Sequence, residues 1–112
     1  MSQAVDLISS NKRQELLALS NDKKSLEAEA EAIISELTAQ QPNNAAPIGI
    51  DTPLVDSEGY PRADIDIYRA RTLRKRFHEI KTDHKALEQL IERGLLELAS
   101  LRAESSIYAN HP

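Results

Sequence analysis

Two stripes of apolar residues, each advancing by alternate steps of three and four, leave few folds open to this chain. The first carries Leu16, Leu19, Lys23, Leu26, Ala30, Ile33, Leu37 and Gln40. The second carries Ala70, Leu73, Phe77, Ile80, His84, Leu87, Ile91, Gly94, Leu98 and Leu101. Such spacing puts one seam along each of two helices, the pattern by which helices pair in a coiled coil. Helix formers such as Glu27, Ala28, Glu29, Glu31 and Ala32 fill the first stripe, and no Gly or Pro interrupts it before Pro42. Residues are 40% hydrophobic but only 4% aromatic, so the apolar content is mostly Leu, Ile and Ala, which argues against a β-sandwich or barrel. The expected class is all-α.

A chain of 112 residues makes one domain at most and has little room for a deep core. The first arm is expected over about residues 4–40, closed by Gln41-Pro42-Asn43-Asn44. Ser9, Ser10 and Asn11 offer an alternative cap for a later start. The second arm is expected over about 64–104, capped by Asp64 or Asp66, with a tail over 105–112. Leu90 and Leu95 widen its apolar face beyond a two-helix seam. Residues 41–63 form the connector.

Volume, polarity and charge all favour a long antiparallel hairpin. One register sets Leu37 against Ala70, Ile33 against Leu73, Ala30 against Phe77 and Leu26 against Ile80, with small facing large at Ala30 and Phe77. Carried further, it sets Lys23 against His84, Leu19 against Leu87, Leu16 against Ile91 and the Lys12 stem over Gly94. Residues 3–41 hold seven acidic and four basic side chains, whereas residues 61–81 hold seven basic and three acidic. Glu27, Glu29, Glu31 and Glu36 therefore fall alongside Arg69, Arg71, Arg74, Lys75 and Arg76, which a parallel pairing would forfeit.

Several functional classes find little support. The absence of cysteine removes disulfides, thiolate metal sites and thiol nucleophiles, and fits a reducing compartment. No apolar run approaches the ~20 residues of a membrane span, and MSQAVDLISS lacks the basic start and apolar core of a signal peptide. An intracellular, membrane-free protein is expected. His78 and His84 fall on different faces of a helix and His111 stands apart, so no metal site is expected. Gly49, Gly59 and Gly94 are scattered, and none heads a phosphate-binding turn. Asp51, Asp56, Glu58, Asp64 and Asp66 lack the spacing of a calcium loop and read as caps and solubilising charge. No enzymatic activity, cofactor or small-molecule substrate is expected. The run Arg69 to Arg76 could contact nucleic acid, but it lacks interleaved aromatics and faces an acidic arm. An ion-paired helix face is the better account.

The connector is larger than the turn that two helices require, about 2–8 residues. Ile48, Ile50, Leu54 and Val55 must cover something or be covered, since Pro47 and Pro53 prevent helix there. They are expected to close the end of the hairpin, with Tyr60 and Tyr68 packed alongside.

The run PLVDSEGYPRADIDIY from Pro53 to Tyr68, followed by Arg71, Arg74 and Asp83-His84-Lys85, resembles the N-terminal domain of the PDZ-containing proteasome assembly chaperones. These are the yeast Nas-two type and its mammalian counterpart. The resemblance covers about residues 48–104. It implies a helical domain that binds the C-terminal domain of one AAA ATPase subunit, of the Rpt five type, and prevents premature association during assembly of the regulatory-particle base. It further implies a cytoplasmic and nuclear location. The chain stops at Pro112, where that family continues towards a PDZ domain, so an isolated N-terminal domain is expected. Leu54, Val55, Tyr60, Pro61, Arg62, Arg71 and Arg74 are the residues expected to form or support the partner surface. The chain is expected to be a monomer or weak homodimer. The alternatives are a coiled-coil adaptor or homo-oligomerisation module and, more remotely, nucleic-acid binding.

Overall fold

The computed structural model describes residues 2–109, and His111 lies outside them. Two helices, α1 (Ser2–Thr38) and α2 (Ile67–Ala109), are joined by an ordered connector that holds a 3-10 turn at Pro42–Asn44. Among the described residues the only strand-like pairing is an isolated antiparallel bridge between Val55 and Pro61. The fold is all-α, with the two helices antiparallel in each of two compact units.

One unit runs from Leu26 to Thr82 and contains the connector. Its core is Ile33, Leu37 and Ile80, with Leu37 fully enclosed. Leu26, Ala30, Leu73 and Phe77 pack on that cluster from the helices, and Ile48 and Ile50 pack on it from the connector. The expected small-against-large register holds here: Arg69 Nη2 donates to Glu36 Oε1 at 3.0 Å, and Arg76 Nη2 donates to Glu29 Oε1 at 3.1 Å. Apolar periodicity and opposite charge point to the same pairing, so neither has to override the other.

The other unit joins the residues up to Ser25 with those from Asp83 onward, and its register differs from expectation. Leu16, rather than the Lys12 stem, lies over Gly94: a side chain at position 94 would meet the Leu16 isobutyl group, with Cγ at 3.3 Å from a β carbon there. Lys12 instead reaches Glu97 at 2.6 Å and Glu15 at 3.2 Å. A branched apolar side chain gains more from the notch above a glycine than a lysine stem does, and the ammonium is better placed among carboxylates. Glu88 joins the expected polar pair, standing 3.7 Å from Lys23 Nζ and 3.5 Å from His84 Nδ1. Leu90, Leu95 and Leu96 are exposed in this unit.

The Leu16–Gly94 fit carries a prediction. Gly94→Leu should destabilise the domain by about 1–3 kcal/mol through overpacking, despite the ~1 kcal/mol that a helix gains on losing an interior glycine. Pairing it with Leu16→Ala should recover part of the loss in urea unfolding. An unchanged midpoint for Gly94→Leu alone would show that the notch is not filled.

The element ends differ from the sequence reading for local reasons. Helix α1 passes straight through Ser9, Ser10 and Asn11, and Ser9 is buried rather than capping, because nothing in the run breaks the ladder. Helix α2 starts at Ile67 because Asp66 caps it, its Oδ1 accepting from the Arg69 N–H at 3.0 Å. It continues through Ser105 to Ala109, since no Gly or Pro follows Gly94 until Pro112.

Candidate functional site

The connector is folded by side chains that spend their polar groups on backbone. Asn43 (φ 59°) and Asn44 (φ 60°) turn the chain after α1 in the left-handed region that asparagine tolerates. The Gly49 N–H then caps α1 by donating to the Leu37 carbonyl at 2.8 Å. Gly49 sits at φ 81° against the Thr52 hydroxyl, which itself donates to the Ile48 carbonyl, so no side chain fits at that position.

A small β-turn structure follows over Leu54 to Arg62. The Gly59 N–H donates to the Asp56 carbonyl at 3.1 Å, and Gly59 takes φ 87°. The Asp56 N–H donates to the Tyr60 carbonyl at 2.7 Å, and the Arg62 N–H to the Leu54 carbonyl at 3.1 Å. Asp56 Oδ1 receives the Glu58 and Tyr60 N–H groups at 2.9 and 3.0 Å and so locks the turn from inside.

Two arginines then staple this turn and its strap in place. Arg62 holds Asp64 by two parallel hydrogen bonds of 3.0 and 2.7 Å and donates to the Ala46 and Pro47 carbonyls at 2.8 and 3.3 Å. Its side chain is only 12% exposed. Arg74 donates to the Gly49 and Ile48 carbonyls at 3.1 and 3.0 Å. The planar guanidinium suits this work because it meets several fixed acceptors at once. Beside Arg62 lies an open groove of about 570 Å³ between Ala45, Ala46, Pro47, Pro53 and Val55.

The expected site residues thus divide. Val55, Tyr60 and Pro61 face solvent on the turn, with Val55 45% and Tyr60 65% exposed. Leu54 is half-buried beneath them. Arg62 and Arg74 brace the connector, and Arg71 stands exposed on α2, apart from the bracing contacts. Ile48 and Ile50 close the core as expected, but Tyr60 and Tyr68 do not pack alongside them; Tyr68 is 82% exposed. Asp56 went unrecognised as a structural lock, although Asp followed by Gly three residues later is a turn signature. Of the two expected caps, Asp64 or Asp66, Asp66 takes the helix end and Asp64 serves Arg62.

Hydrogen bonding by Arg62 holds the Asp64 carboxyl below its ordinary value, and Arg76 and Lys12 do the same to Glu29 and Glu97. A carboxylate depressed by folding stabilises the fold at pH above its ordinary value, 3.8 for Asp64 and 4.5 for the glutamates. That contribution is lost as pH falls through the lowered value. Urea midpoints should therefore drop as pH is lowered below about 4.5, and a Glu29→Gln, Asp64→Asn, Glu97→Gln variant should show a flatter profile. An equally steep fall in the variant would assign the acid sensitivity to other carboxylates.

The braced connector and both flanking helices fall within one match: residues 11–99 fit the family model described as the Nas2 N-terminal domain. The chain belongs to the Nas2 N-terminal domain family. Most of α1 lies inside that match, so the family signature is wider than the connector motif alone. Among curated relatives, the 26S proteasome non-ATPase regulatory subunit 9 of Mus musculus is 43% identical over 76 residues, 68% of this chain and 32% of the relative. The protein of that name in Homo sapiens is 40% identical over the same proportions. The probable 26S proteasome regulatory subunit p27 of Saccharomyces cerevisiae is 34% identical over 90 residues, 80% of this chain and 36% of the relative. The chain spans about a third of the length of these relatives. No solved structure matches it.

Proposed function

We propose that this domain is the protein-binding N-terminal domain of a proteasome assembly chaperone. In this reading it holds the C-terminal domain of one AAA ATPase subunit of the regulatory-particle base, of the Rpt five type, and blocks premature association sterically. The observation that carries it is the braced turn, which displays Val55, Tyr60 and Pro61 to solvent on backbone fixed by Asp56 and Arg62, while Arg74 ties Ile48 and Gly49 of the same connector to α2. An apolar and aromatic patch held rigid before contact loses little entropy on binding. The names of the relatives, which place them among proteasome regulatory subunits, support a proteasomal partner. The action is binding alone, without catalysis or cofactor, in the cytoplasm and nucleus.

Calorimetric titration of the domain against the C-terminal domain of each ATPase subunit tests this. One of them should bind, and Tyr60→Ala should weaken that binding by about tenfold or more. Absence of binding to all of them would overturn the reading. A second reading, homo-oligomerisation, is favoured by the exposed Leu90, Leu95 and Leu96. Sedimentation over a concentration series separates the two, because the chaperone reading expects a monomer.

A further inference from the structure

The seven basic residues between Pro61 and Lys81 have very unequal surroundings. Arg62 is held by Asp64 and two carbonyls, Arg69 by Glu36, Arg74 by the Ile48 and Gly49 carbonyls, and Arg76 by Glu29 and Glu79. Lys81 lies 5.8 Å from the centre of the Phe77 ring. Arg71 and Lys75 remain: both are exposed, and neither has a hydrogen-bond or ion-pair partner among the described residues. They stand four apart on α2 and therefore share a face. Tyr68, three residues before Arg71, lies on the same face and, at 82%, is the most exposed large hydrophobic side chain among the described residues. At about 100° per residue this stripe points away from the buried line of Ala70, Leu73, Phe77 and Ile80.

We propose that the Tyr68, Arg71 and Lys75 face of α2 is a docking surface for a carboxylate-bearing region of the ATPase C-terminal domain. This deepens the reading above and rests on it. The chemistry of the face selects the partner. The chain carries a net charge of -4, and its acidic side chains neutralise Arg62, Arg69 and Arg76, yet none is spent on Arg71 or Lys75. A guanidinium takes a carboxylate through two parallel hydrogen bonds, an ammonium one turn away adds a second charge, and an exposed tyrosine supplies apolar contact at low entropic cost. Nucleic acid fits less well, because phosphate-driven affinity grows with the number of phosphates neutralised, and this face offers the two cations Arg71 and Lys75.

The test uses Tyr68→Ala and Arg71→Glu/Lys75→Glu, titrated against the bound ATPase C-terminal domain at low and physiological salt. Neither variant touches the core, so helical circular dichroism and the thermal midpoint should stay at the wild-type values. Each variant should lose about tenfold or more in affinity, and the charge reversal should turn the weakening of binding by salt into a strengthening, because salt then screens a repulsion. Wild-type affinity in both variants would overturn the proposal while leaving the chaperone reading intact. Failure of the wild-type domain to bind any ATPase C-terminal domain would overturn both. Retention of single-stranded RNA or duplex DNA by the wild type, lost on charge reversal, would make nucleic acid the occupant and overturn the proposal as well.

Discussion

Leu37→Ala is expected to destabilise the domain by about 2–5 kcal/mol, the range for emptying a well-packed leucine site. Leu37 is the largest fully enclosed side chain among the described residues, and its core cluster draws on three separate segments: Ile33 on α1, Ile80 on α2, and Ile48 and Ile50 packed on them from the connector. These cannot all collapse into the cavity, because the Gly49 N–H ties the connector to the Leu37 carbonyl. For a chain of this length total stability is on the order of 5–15 kcal/mol, so the loss is a large fraction of it. Leu17→Ala is the control: Leu17 is 64% exposed, and its truncation should fall within about 0.5 kcal/mol of wild type. Urea unfolding decides it, and equal shifts for the two variants would mean that the core is not centred on Leu37.

Under the proposed chaperone reading, Arg62→Met and Arg74→Met should each weaken binding of the ATPase C-terminal domain by about tenfold or more, although both guanidiniums are spent on connector backbone. Methionine keeps much of the stem volume but abandons the Ala46 and Pro47 carbonyls in one case and the Ile48 and Gly49 carbonyls in the other. The turn that carries Val55, Tyr60 and Pro61 loses its tie to Ala46 and Pro47 in Arg62→Met, and Ile48 and Gly49 lose theirs to α2 in Arg74→Met, so the freed connector must be ordered at the moment of binding. Hydrogen exchange distinguishes bracing from direct contact. The Gly49 N–H should exchange faster in Arg74→Met, and the Arg62 N–H, bonded to the Leu54 carbonyl, should exchange faster in Arg62→Met. Weakened binding with unchanged exchange would instead make these arginines contact residues.

Much of the architecture was legible because helices advertise themselves locally. The 3-4 spacing of Leu26, Ala30, Ile33 and Leu37 and of Leu73, Phe77 and Ile80 is visible without any knowledge of the partner helix. Opposite charge on Glu29, Glu36, Arg69 and Arg76 then gave the antiparallel pairing. The register around Gly94 was less legible. A glycine notch accepts either a lysine stem or a leucine, and only the packed unit shows that Leu16 takes it.

The site was legible as a segment but not as a set of roles. Arg62, Arg71 and Arg74 look alike in the sequence, yet two brace backbone and one stands free. Sequence alone determined two helices, their antiparallel sense, an ordered connector between them and the family motif that runs through it. Tertiary structure alone decided which arginines are spent inside the fold and which stand exposed on its surface. The reason is physical: the acceptors that consume Arg62 and Arg74 are carbonyls 15–26 residues away. Every residue carries a carbonyl, so that pairing leaves no mark on side-chain identity.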